Sequence, residues 1–153
     1  MTTTLYETDF YAWTQRQAAL LREEEFTEVD WNNLIEEIEA LGRSDIRELT
    51  NRLEVLLMHL LKWRYQPGKR GRSWRATIDE QRRRLHKLLR ESPSLRAQLT
   101  DFVGETYPDA IRAAVIETGL DKHAFSTVCP WTAEQIMDEE FWPRLEGNRE
   151  GNG

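Results

Sequence analysis

Between Lys62 and Arg90 the chain gathers eleven basic residues around Trp63, Tyr65 and Trp74. A guanidinium fork matches a phosphate with two parallel hydrogen bonds, and an aromatic face stacks on a base. Asp79 and Glu80 are the only acids in this stretch, which carries a net charge of +9. Lys69, Arg70, Arg72, Arg75, Arg82 and Arg83, with Trp63 and Trp74, are therefore the candidates for binding a partner or an anion. The competing reading keeps them inside the protein. In it the arginines pair with acids on the helix predicted from Asp30 and the aromatics fill gaps in the core. The acids exist: residues 23–48 hold ten against Arg43 and Arg47. A split of this kind serves either an oppositely charged partner or two attracting halves of one domain.

Lys69 and Arg70 lie between Gly68 and Gly71, a spacing similar to the GXXG turn with which KH domains clamp nucleic-acid backbones. A KH domain needs flanking strands, and no strand pattern stands on either side. A second constellation is Glu36, Glu37 and Glu39 with His59. Carboxylates and imidazole from paired helices can hold metals inside a bundle. That chemistry favours Glu-x-x-His on one face, and no histidine here has it. The plainer reading is a solvated acidic face and a histidine satisfied in a leucine-rich helix. Cys129, before Pro130, would be a nucleophile if a base such as His123 lowered its pKa. A single loop cysteine is more often inert. The chain has no Walker-type, Rossmann or nucleophile-elbow motif, so no cofactor is expected and an enzyme of those classes is disfavoured.

The elements that must position these residues are helical. Glu, Leu, Arg and Ala are abundant, and these lose little side-chain entropy in a helix. A first helix is predicted from Asp9 to Glu24, capped by Thr8. A second starts at Asp30, with Trp31, Leu34, Ile35, Ile38 and Leu41 on one stripe facing a core, and stops at Gly42 in the left-handed conformation. A third runs from Ser44 to Tyr65 and is central, because Leu49, Leu53, Leu56, Leu57, Leu60 and Leu61 cover a broad face. A fourth spans Ser73 to Glu91. A fifth starts at Leu95, capped by Ser94, kinks or restarts near Pro108, and stops at Gly119. Thr132 and Gln135 form a capping box for a short last helix.

The expected fold is all-α: a compact antiparallel bundle of five to six helices and no sheet. Residues 1–146 form one domain, and residues 147–153 a disordered tail. One cysteine implies no disulfide framework. No signal-peptide pattern opens the chain, and the longest near-apolar run, Val55 to Leu61, is far below the roughly 20 residues of a membrane span. A cytoplasmic protein without membrane contact is expected. Phe10, Tyr11 and Trp13 crowd one end, and Trp131, Phe141 and Trp142 the other. Either some of these cover a surface shared with a second copy or another protein, or the C-terminal segment buries Trp142 against the N-terminal helix.

The order of several stretches resembles a known family. They are Leu5–Trp13, Asp30–Ser44, Leu56–Pro67, Ser73–Leu85, Ser92–Leu95, Cys129–Thr132 and Phe141–Pro143. On them the chain is similar to the bacterial domain-of-unknown-function family 29. The resemblance implies a compact helical domain and no activity or site residues. The expected role is then a non-enzymatic module that engages a protein partner or a second copy through the basic face of residues 62–90. Nucleic-acid or polyanion binding through that face is the alternative. A metal-dependent bundle enzyme using Glu36, Glu37 and His59 is a more distant one.

Overall fold

A computed structural model describes residues 4–144; the expected 147–153 tail lies outside them. Among the described residues every regular element is helical and no strand occurs, so the fold is all-α. The α-helices are α1 (Leu5–Thr8), α2 (Phe10–Arg22), α3 (Trp31–Tyr65), α4 (Arg72–Glu91), α5 (Leu99–Thr118) and α6 (Ala133–Met137). Two compact units divide the chain, Met1–Asp45 and Ile46–Gly153.

In the first unit Asp9, not Thr8, caps α2: its carboxylate accepts from the Ala12 N–H at 3.0 Å. Thr8 instead closes the short α1. Asp30 ties α2 to the start of α3. Its carboxylate accepts from the Trp13 indole at 3.1 Å and from the Asn33 amide at 2.8 Å. Its N–H donates to Gln17 at 2.8 Å. Among the described residues of this unit, the buried apolar side chains are Trp13, Leu20 and Val29.

The predicted second and third helices are one helix, and Gly42 is inside it rather than at its end. Arg43 explains part of this continuity. Its guanidinium bonds Glu36 at 2.8 Å and reaches Glu39 at 3.9 Å, so ion pairs span the glycine's turn. A mid-helix glycine costs only about 1 kcal/mol, which good helix formers on both sides offset.

In the second unit the C-terminal half of α3 is central, as its leucines predict. Leu49, Leu53, Leu56, Leu57, Leu60 and Leu61 have no exposed surface. They meet Ile78, Leu85 and Leu89 of α4, Phe102, Tyr107 and Ala110 of α5, and Ile136 of α6 in one cluster. Ser94 does not start α5. Pro93–Gln98 is a 3₁₀ segment, and α5 begins at Leu99. It then continues through Pro108, where a kink or restart was expected. The bond lost there is to the Gly104 carbonyl, one turn back. Buried Phe102, Val103, Ala110 and Ala114 anchor the helix on both sides of it. Gly119 stops α5 in the left-handed conformation, at φ 71°. Thr132 and Gln135 form the expected capping box at α6.

Candidate interaction surfaces

The basic segment turns out to be two populations. One is internal and holds the C-terminal segment in place. Trp142 packs on Trp63, with ring centroids 4.6 Å apart. Arg75, though itself exposed, lies over both rings, 5.8 Å from Trp63 and 5.1 Å from Trp142. Arg70 donates to the Trp63 carbonyl at 2.6 Å and reaches the Pro143 carbonyl at 3.5 Å. Arg82 is wholly buried and donates to the carbonyls of Ile136 and Phe141, each at 2.8 Å. Its fork thus ties α6 and the chain after it to α4, with Trp142 stacked 5.5 Å away. Burial pushes the Arg82 guanidinium below its ordinary pKa, and the acids Asp138, Asp79 and Glu139 oppose that. Lys62, also buried, sits 3.5 Å from Glu117 of α5 and 4.6 Å from the Trp74 ring. These acid partners lie in the second unit, not in the acidic stretch before it.

The other population faces solvent. Lys69, Arg72 and Arg83 are exposed. Arg84 and Lys87 are exposed too, each paired one turn away, with Glu80 at 3.0 Å and Glu91 at 3.9 Å. Arg83 and Arg90 line an open depression of about 460 Å³ together with Asp138, Glu139 and Glu140. What reaches solvent from this segment is therefore cations partly answered by the unit's own acids.

The metal reading required a pair of helices. Glu36, Glu37 and His59 lie on a single helix and in different units. Glu36 pairs with Arg43, and Glu37 accepts from the Tyr6 hydroxyl. His59 Nδ1 bonds the Val55 carbonyl at 2.8 Å, and burial holds its pKa below the ordinary value. Among the described residues no group of three or more His, Cys, Asp or Glu is placed to hold a metal. Cys129 is half-buried, its Sγ 3.5 Å from the Trp131 carbonyl. Burial raises its pKa, which opposes thiolate formation. His123 is exposed and has no hydrogen bond to that thiol.

The surface that the sequence reading misassigned is the apolar stripe of residues 31–41. It was expected to face a core. Trp31 is 46% exposed, Ile35 50%, Ile38 60% and Leu41 70%. Beside it α2 leaves Phe10 and Tyr11 exposed as well. Between α2 and α3 runs a groove of about 440 Å³ lined by Phe10, Trp13, Leu21, Leu34, Ile38 and Leu41 among others. Of the eleven exposed large hydrophobic residues among the described ones, eight belong to the first unit, which places the apolar surface there. The missed signal was a shortage of partners. Of α2's thirteen residues only Trp13, Gln17 and Leu20 are buried, too few to cover a five-residue stripe.

The fold and these surfaces define an all-α domain with an internally clamped basic segment and a bare apolar helix face. No helix among the described residues is long and apolar enough to cross a membrane. The chain belongs to the family described as domain of unknown function DUF29, which matches residues 5–142. No curated protein and no solved structure matches it.

Proposed function

We propose that this domain is a non-enzymatic protein-interaction module whose contact surface is the exposed face of α3 around Trp31, Ile35, Ile38 and Leu41. The observation that carries the reading is that face itself. Exposed apolar residues at helical spacing, beside a groove, are what a helix-binding surface presents. Interface cores are enriched in aromatic side chains, and Trp31 and Phe10 stand at this one. The first unit also buries little apolar surface of its own, so a partner would add to its stability. A single cysteine supports a cytoplasmic setting.

The basic face supports a second reading, binding of nucleic acid or another polyanion. Lys69, Arg72, Arg75 and Arg83 remain exposed and could neutralise phosphates. The internal roles of Arg70, Arg82, Trp63 and Trp74 reduce what that face offers. The two readings separate by photo-crosslinking from single positions in cells that make the protein. Discrete protein adducts from position 35 or 38, with none from the exposed Ile116, support the module reading. Nucleic-acid adducts from positions 72 and 83, with none from 35 or 38, overturn it. Titration of labelled nucleic acid then checks the alternative, because phosphate binding must weaken steeply with salt.

A further inference from the structure

We infer that the occupant of the α2–α3 face is a cationic amphipathic helix supplied by a partner protein; this rests on the module reading above. The shape comes first. Trp31, Ile35, Ile38 and Leu41 project from about three turns of one helix, and the groove beside them runs between two helices. An occupant that buries such a strip must repeat its own apolar residues every three to four positions, which a helix does.

Charge decides which helix. The unit ending at Asp45 holds eleven acids, Arg16, Arg22, Arg43 and no lysine, a net of −8. Glu37 lines the groove, and Glu39 borders the Ile35 side one turn along. Arg43 spans Glu36 and Glu39, which leaves that pair one negative charge in excess. Glu23, Glu24, Glu25 and Glu28 stand exposed in the link between the helices. A nucleic acid or an anionic membrane would be repelled by this field. A second copy that docked the same face would bring −8 against −8. A second copy that docked the exposed cations of α4 would bring charge but no apolar strip, because α4 exposes no large hydrophobic residue. A foreign helix with lysine or arginine flanking an apolar stripe satisfies both requirements.

The test uses the full chain and two synthetic amphipathic helical peptides, one of Leu and Lys and one of Leu and Glu, each fluorescently labelled. The Leu/Lys peptide is expected to bind and to weaken as salt rises. Ile35→Ser with Ile38→Ser should cut that affinity about tenfold or more, the scale of losing an interface anchor. Glu37→Gln with Glu39→Gln should cut it less and flatten the salt dependence. Ile35, Ile38 and Glu39 are exposed on α3 and glutamine at 37 still offers the Tyr6 hydroxyl an acceptor, so an unchanged circular-dichroism spectrum and melting point confirm that the variants fold. Equal binding of the Leu/Glu peptide overturns the charge assignment and leaves the module reading intact. Leu/Lys binding that ignores the serine variants overturns the site. Concentration-dependent self-association that the serine variants abolish assigns the face to a second copy and overturns the inference. Failure of both peptides while position 35 still crosslinks to protein overturns the helix occupant alone. Failure of peptides and crosslinking together overturns the module reading with it.

Discussion

Leu49, Leu53 and Leu56 have no exposed surface, whereas Trp31, Ile35 and Ile38 are 46%, 50% and 60% exposed. Each member of the first set follows its counterpart by 18 residues on α3, from 31 to 49, 35 to 53 and 38 to 56. That is about five turns at 3.6 residues per turn, so the apolar spacing repeats. One helix thus repeats the same apolar pattern in both units. Pattern is equal in the two, and the supply of neighbours is not. In the second unit α4, α5 and α6 contribute Ile78, Leu85, Phe102, Tyr107 and Ile136 against the stripe. In the first, α2 contributes little beyond Trp13 and Leu20. An apolar stripe states what a helix can bury, and the rest of the unit decides whether it does.

The comparison breaks most easily by truncation. Leu57→Ala should cost ~2–5 kcal/mol by urea unfolding, because it opens a cavity where nothing can collapse. Ile38→Ala should stay within about 0.5 kcal/mol, as exposed positions do. Equal costs would mean that the N-terminal stripe is covered after all. Arg82→Lys should come next, at about 1–3 kcal/mol, since an ammonium cannot donate in a fork to the Ile136 and Phe141 carbonyls together. Trp142 fluorescence should shift in that variant as its segment loosens.

Gly42→Ala should stabilise the protein by about 0.5–1 kcal/mol. A Cβ there meets nothing within 4 Å, and alanine is the better helix former. A loss instead would restore the left-handed helix stop that the sequence suggested. His59 gives the smallest effect. Burial, aided by nearby Lys62, lowers its pKa from 6.5, against the pull of the Val55 carbonyl and Glu117. On acidification the unfolded chain takes the proton first. Stability from the neutral ring is fully present above pH 6.5 and is lost as the pH falls toward the depressed folded value. In His59→Asn that part of the slope of unfolding free energy against pH should flatten.

What was legible in the sequence was what neighbours along the chain decide. The capping box at Thr132, the stop at Gly119 and the span of α4 follow from residues within one or two turns. The leucine face of α3 was legible because it is too broad for any surface helix. The Gly42 boundary was not, since good helix formers on both sides and the Arg43 ion pairs together offset a weak breaker. No restart occurs at Pro108, because tertiary burial on both sides offsets one lost bond. The basic segment was legible as a charge cluster but not as a clamp. Its partners Ile136, Phe141, Trp142 and Pro143 arrive some 50 to 80 residues later. The exposed face was read as a stripe and assigned to a core, because periodicity carries no count of available partners.

Thiol labelling compares the two halves of α3 most directly. Ile38→Cys and Leu56→Cys, each in a Cys129→Ser background, would be reacted with an aromatic disulfide reagent in dilute folded protein. The account predicts that position 38 reacts nearly as fast as a free thiol, while position 56 reacts only as fast as the unit opens. Comparable protection at both positions would contradict it, because the face assigned to a partner would then already be covered.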